Sequence, residues 1–229
     1  LSKLIRSKLT KPHKGASLLD CSCGIGTQAI GLAKEGFKVT ATDVSPVSIV
    51  RARKEAESRD AEIHFGVADF RSLAQDISGV FDVVLSADNA IPHLLTDEDI
   101  ELASRNMYSK LNHDGVLLIT IRDYDDLVKV KQEVTAPSVF DGGKRIVFQV
   151  WEWAEDAATY ATNHFIVQEI DGAWITKHSK TRYRALLRQE LGRILSTVGF
   201  VEIEWHMPEA SGFYQPIVTA RKKSNVHTE

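Results

Sequence analysis

Ser17-Leu-Leu-Asp-Cys-Ser-Cys-Gly-Ile-Gly-Thr27 is the stretch that decides the fold. A short apolar run enters a turn of small residues, and a helix is expected from Thr27 to Glu35, stopped by Gly36. Sixteen residues beyond Thr27, Asp43 ends the second expected strand, Phe37 to Asp43. Strand, glycine turn, helix, strand and acid is the order in which an open α/β sheet builds a nucleoside site at the carboxyl ends of its strands. Glycine lets the backbone approach a ligand closely. A carboxylate on the second strand can accept hydrogen bonds from both ribose hydroxyls.

Outward from this stretch the pattern repeats. Before it, Leu1 to Leu9 reads as the end of an amphipathic helix, closed by Thr10-Lys-Pro12. After it, Ser45 as N-cap and Pro46 at the first helical position open a charged helix to about Ser58. Strands are expected at Ala61 to Val67, Val80 to Ser86 and Val116 to Ile121. Between the last two lie a helix capped by Thr96-Asp-Glu-Asp99 and a turn at Asn112-His-Asp-Gly115. Strand and helix in alternation predict an α/β fold with a mostly parallel sheet. From Lys144 to about Arg184 the chain changes to strand alternation, with turns at Glu155-Asp156 and Asp171-Gly172, and three antiparallel strands are expected as an inserted flap. A helix from Arg188 to Val198, two closing strands (Val201 to His206, Gln215 to Arg221) and a loose tail from Lys223 to Glu229 complete a single expected domain over residues 1–229.

Composition narrows the class. The 229 residues are 43% hydrophobic and 26% charged, as in a globular protein with one large core. A net charge of -3 argues against a nucleic-acid partner held by bulk positive charge. No apolar run approaches membrane-spanning length, so no membrane partner is expected. The 2 cysteines, Cys21 and Cys23, make half a zinc site with no second pair; they read as small residues lining a tight turn. Without a disulfide framework a reducing, cytoplasmic location is expected.

The glycine turn alone leaves the ligand open. Gly24-Ile-Gly-Thr-Gln-Ala29 also fits the spacing of a dinucleotide site, so a nicotinamide enzyme is a rival. Three features point elsewhere. Asp20, just before the turn, would repel a pyrophosphate but suits an ammonium or a sulfonium. Ala68-Asp-Phe70 after the third strand offers a carboxylate to an adenine amine and a ring beside it. The chain also ends in two strands rather than in a second mononucleotide half.

Together, Leu18-Leu-Asp-Cys-Ser-Cys-Gly-Ile-Gly26, Thr40-Ala-Thr-Asp-Val-Ser45, Val67-Ala-Asp69, Phe81-Asp-Val-Val84 and Asp114-Gly-Val-Leu-Leu118 resemble the class I S-adenosylmethionine-dependent methyltransferases over nearly the whole chain. Ser22 stands where that family often has glycine. The resemblance implies a seven-stranded, mostly parallel Rossmann-like sheet ending in an antiparallel hairpin, with the antiparallel flap inserted after strand five. It implies S-adenosylmethionine as cofactor, Asp43 on the ribose, Asp69 on the adenine amine, Gly24 and Gly26 under the ligand, and Asp20 near the methionyl amine. Cys21, Thr27, Val44, Phe70 and Ser86 complete the expected cofactor surface. The plain alternatives, residue by residue, are a turn-stabilising Asp20, an Asp43 that caps the following helix and an Asp69 that is a loop acid.

The acceptor is expected to meet the segments after strands four and five. Ser86-Ala-Asp-Asn-Ala-Ile-Pro-His93 and Arg122-Asp-Tyr-Asp125 resemble the glycine/sarcosine N-methyltransferase branch. That resemblance implies Arg122 as a carboxylate clamp, Asn89 and Tyr124 as polar walls near an amine, and His93 as a loop-orienting or proton-removing group. A guanidinium fork suits such a clamp. The plain alternatives are an Arg122 paired with Asp123, Asp125 or Asp126, a packed or capping His93, and a Tyr124 that covers the cofactor. In the flap, Trp151, Trp153, Tyr160, His164, Trp174, His178 and Tyr183 alternate, which places one face on a core and leaves the other for a pocket. The expected protein is therefore a methyltransferase of a small-molecule amine. A phenol or carboxylate O-methyltransferase and a cofactor-binding regulator remain as rivals.

Overall fold

The computed structural model describes residues 1–223. The expected tail from Lys223 to Glu229 lies, beyond Lys223, outside the described residues. Among the described residues no helix is long and apolar enough to cross a membrane.

The described residues form two compact units. The first comprises Leu1–Ile91, Asp97–Arg122 and the chain from Gln189. Its strands are β1 (Ser17–Asp20), β2 (Lys38–Asp43), β3 (Ile63–Val67), β4 (Phe81–Ser86) and β5 (Leu111–Thr120), followed near the C-terminus by β10 (Phe200–His206) and β11 (Ile217–Lys222). They make a seven-stranded sheet in the order β10-β11-β5-β4-β1-β2-β3. All pairs from β3 to β5 are parallel, and β11 is antiparallel to both β5 and β10.

Six helices lie on this sheet or join its strands: α1 (Ser2–Lys8), α2 (Thr27–Lys34), α3 (Pro46–Glu57), α4 (Leu73–Asp76), α5 (Asp97–Ser109) and α8 (Pro208–Ser211). A further helix, α7 (Arg188–Val198), starts at the edge of the second unit. Every residue of β4 is buried, as expected of a central strand covered on both faces. Leu18, Val39, Ala41, Val83, Leu85, Val116 and Leu118 build the core with Ala29 and Ile30 of α2 and Ile49 and Ala52 of α3. Their strand neighbours Leu19, Val84 and Leu117 alternate to the other face and are just as buried. Ser45 caps α3 by accepting the Ser48 N–H at 3.2 Å, and Gly36 and Gly199 follow their helices at positive φ.

The expected turn at Asn112–Gly115 is instead a bulge inside β5. Phe81 pairs with Leu111, but Val83 pairs with Val116, so β5 carries three extra residues there. Asp114 takes a positive φ of 59°, Arg221 donates to its carbonyl at 3.0 Å, and Asn112 donates to Asp82 at 2.8 Å. Gly115 is required: a Cβ would stand 2.9 Å from the Asn112 carbonyl oxygen.

The second unit comprises Pro92–Thr96 and Asp123–Arg188. It opens with α6 (Tyr124–Val130), a helix the sequence reading did not anticipate. Then come β6 (Ser138–Phe140), β7 (Arg145–Trp153), β8 (Thr159–Ile170) and β9 (Ala173–Arg184). These form one antiparallel sheet in the order β6-β7-β8-β9. The three strands expected from Lys144 to about Arg184 are β7, β8 and β9; β6 lies before that range and left no signal, being three exposed residues without alternation. The Asp171-Gly172 turn joins β8 to β9, with both residues at positive φ.

Candidate functional site

Connections run outward from β1 to β2 and β3 on one side, then cross to β4 and β5 on the other. The order therefore reverses between β1 and β4, where such sheets hold their ligands. The chain is stitched at that point. The backbone N–H and Sγ of Cys21 both donate to the Leu85 carbonyl, at 2.9 and 3.2 Å, and Ser22 Oγ meets Ser86 Oγ at 3.1 Å. On the other flank the Cys23 N–H donates to the Thr42 carbonyl at 2.9 Å.

Asp20, Asp43 and Asp69 follow three adjacent parallel strands, as expected, but their surroundings differ. Asp20 is 1% exposed. Its Oδ1 accepts the Ser22 N–H at 3.3 Å, and its Oδ2 is buried with no hydrogen-bond partner. Burial pushes its carboxyl up to about 7, and the like charges of Asp88 and Asp43 add to this against the Ser22 N–H. Burial, with Asp20 beside them, also pushes both cysteine thiols upward, so neither is a ready nucleophile.

Asp43 is a brace between elements. Its Oδ2 accepts the Gly24 N–H at 2.8 Å and its Oδ1 the Ser45 N–H at 2.9 Å. The α3 cap itself is Ser45. Each Asp43 oxygen retains acceptor capacity. Asp69 is gripped by Arg71, which donates from its backbone and guanidinium at 2.7 to 3.2 Å and reaches Asp99 at 3.1 Å. Hydrogen bonds from Arg71 hold the Asp69 carboxyl below the usual range. Any amine at Asp69 would share it with this guanidinium, a partner the sequence reading missed.

The glycines shape the turn. Gly24 (φ 54°) faces open space where a Cβ would stand, whereas a Cβ on Gly26 (φ 91°) would press on Ile30 Cδ1 at 3.2 Å. Thr27 begins α2 and is exposed, Val44 is 66% exposed beyond β2, and Phe70 is half-buried.

After β4, Asp88 and Asn89 both take positive φ, 59° and 67°. Asn89 is buried; its N–H donates to the Thr120 carbonyl at 3.2 Å and its Oδ1 accepts the Arg122 backbone N–H at 3.0 Å. The segments after β4 and β5 are thus joined. Asp88, missed in the sequence, accepts from Tyr214 Oη at 2.7 Å and Gln28 Nε2 at 3.2 Å. Only the Asp-Asn pair at a strand end hinted at it; Tyr214 left no signal.

In the second unit, the exposed His93 ends a 3-10 turn (Ile91–His93) and lies against Tyr183, ring centroids 4.3 Å apart. Tyr124 is fully buried and its hydroxyl meets that of Tyr160 at 2.8 Å. Asp123 and Asp125 are held by Arg188, and Asp126 by Lys129.

Residues 18–115 match the family profile described as a methyltransferase domain. The glycine/sarcosine N-methyltransferase of Parasynechococcus marenigrum is 38% identical over 122 residues, 53% of this chain and 43% of that protein. A putative methyltransferase of a Geobacillus species is 24% identical over 82% of this chain and 74% of its own. An S-adenosylmethionine-dependent methyltransferase from Clostridium acetobutylicum, known as a crystal structure, superposes with a TM-score of 0.78 at 14% identity, covering 97% of this chain and 88% of that one. The profile match is to a methyltransferase domain within residues 18–115. The chain is similar to glycine/sarcosine N-methyltransferases, spans under half the length of the first of them, and shares its fold with a solved S-adenosylmethionine-dependent methyltransferase.

The residues present fit that cofactor. The buried, unpartnered Asp20 Oδ2 is an acceptor awaiting a cationic donor, as the methionyl ammonium is. The open space over Gly24 admits a ligand against the backbone.

Proposed function

We propose that this chain transfers a methyl group from S-adenosylmethionine to the amine nitrogen of a small, carboxylate-bearing acceptor of the glycine or sarcosine kind. The observation that carries the reading is the bond from the Arg122 backbone to Asn89 Oδ1, which fixes where Arg122 leaves β5 and ties it to the residues after β4. The similarity to glycine/sarcosine N-methyltransferases supports the same acceptor class.

When bound, the cofactor supplies a methyl group on a sulfonium, open to in-line displacement. Asp20 balances its ammonium, and Asp43 offers the ribose its remaining lone pairs. Gly24 and Gly26 let the backbone lie close, with Cys21, Thr27 and Ser86 lining the turn. Val44 and Phe70 would give apolar surface to the adenine, and Asp69 would hold its amine. Arg122 forks onto the acceptor carboxylate, and Asn89 orients the acceptor amine. The same reading assigns proton removal to His93 and a polar contact with the amine to Tyr124, four and two residues after Asn89 and Arg122 in the chain. An amine attacks only as its free base, so holding it desolvated and oriented is most of the protein's task.

Replacing Arg122 by Ala tests the clamp. The acceptor KM rises by about tenfold or more, as expected for loss of a charge-assisted pair, while S-adenosylhomocysteine affinity stays within about twofold. An unchanged acceptor KM removes the clamp and with it the carboxylate-bearing acceptor.

A further inference from the structure

The aromatic residues of the inserted sheet are committed to one another. Register places Trp153 opposite Tyr160 and Tyr160 opposite Tyr183, so three adjacent strands present their rings on one face, with Trp151 two residues along from Trp153. Tyr160 is 1% exposed and stacks on Trp151, Trp153 and Tyr183 with centroids 4.8, 4.8 and 5.4 Å apart. All three separations fall in the favoured range for ring pairs. The row continues to the imidazole of His93, 4.3 Å from Tyr183 and tilted by 43°. At its centre the Tyr160 hydroxyl meets that of Tyr124 at 2.8 Å. A rigid row of side chains on three hydrogen-bonded strands therefore ends on two residues of the proposed acceptor end.

We infer that this aromatic row positions the acceptor-end residues: Tyr183 fixes the His93 ring and the Tyr160 hydroxyl fixes the Tyr124 side chain. Tyr183 and Tyr160 are positioning residues and touch no reacting atom. The inference deepens the proposed function and rests on His93 serving the acceptor there. Packing alone would be met by phenylalanine at position 160; the hydroxyl pair is what phenylalanine removes. A neighbour that loses its backing ring gains rotamer freedom, and misplacement by about 1 Å of a group in the reaction geometry costs on the order of a hundredfold in rate.

The test uses the whole chain with S-adenosylmethionine and glycine, comparing Tyr183→Leu, Tyr183→Phe, His93→Gln and the double variant Tyr183→Leu/His93→Gln. Tyr183→Leu lowers kcat by about tenfold or more with S-adenosylhomocysteine affinity within about twofold, and Tyr183→Phe restores the rate. The double variant is no slower than His93→Gln alone, because both changes remove the same function. Tyr160→Phe lowers kcat while leaving the thermal midpoint near that of the parent. In nuclear magnetic resonance spectra the His93 ring protons lose their upfield ring-current shift in Tyr183→Leu and keep it in Tyr183→Phe.

Strictly additive losses, or full activity in Tyr183→Leu, overturn the positioning role. A fully active His93→Gln protein overturns the reading of His93 on which the inference rests. The ring-current shift then tells whether the contact or the role has failed.

Discussion

Asp20 carries the sharpest prediction at the scale of single residues. Its carboxyl is raised from the ordinary carboxylate value to about 7 by burial. The sign follows from linkage. Between about pH 4 and 7 the unfolded chain has this group ionised and the folded chain keeps it protonated, so its contribution to stability is full below that window and falls as pH rises through it. A bound ammonium favours the carboxylate, so binding expels a proton below pH 7. S-adenosylhomocysteine affinity, measured by calorimetry, therefore rises about tenfold per pH unit toward 7 and levels off above it. In Asp20→Asn the slope vanishes; a slope that persists there assigns the proton to another group.

The sequence made Asp20, Asp43 and Asp69 legible because each closes an apolar run with its own local signal. It left Arg71 and Asp88 unread, and it offered Tyr160 only as one of several alternating aromatic residues. Arg71 sits only two positions from Asp69 yet looks like any loop arginine. Asp88 and Tyr160 gain their meaning from Tyr214 and Tyr124, which are 126 and 36 residues distant.

Among the elements, legibility followed length and capping. β1, α2, β2 and α3 were readable from glycine spacing and from Ser45-Pro46, and α7 from its periodicity and Gly199. β6, three residues long and exposed, and α6, whose 7 residues begin within the segment read as an acceptor loop, had too little pattern. Asn112–Gly115 shows a sharper limit. Asn, Asp and Gly serve turns and bulges alike, because both call for positive φ or close backbone approach. Here pairing with β4 on both sides of the segment, at Leu111 and at Val116, decides for a bulge. Gly115→Ala consequently forces a methyl group against the Asn112 carbonyl and the buried Leu111. Urea denaturation of the ligand-free protein should show a loss of about 1–3 kcal/mol, the usual range for an overpacked site. An unchanged midpoint would mean that β5 has slack at the bulge.

The segment that matches the methyltransferase profile, residues 18–115, contains Asp20, Asp43 and Asp69 and both glycines of the turn, together with Asn89 and His93. Arg122, Tyr124 and the aromatic row all lie beyond it, in the part of the chain where acceptor choice is proposed to reside. Function is carried by sites set on a shared fold, so the fold of the first unit does not by itself choose an acceptor. Methylation of an amine nitrogen is tested by product analysis. The protein is incubated with methyl-labelled S-adenosylmethionine and, separately, glycine, sarcosine, a phenol and a simple carboxylate, and the products are read by mass spectrometry. Label is expected on the nitrogen of glycine or sarcosine, with one S-adenosylhomocysteine formed per methyl transferred. Label only on oxygen, or tight cofactor binding with no labelled product from any acceptor, would contradict it.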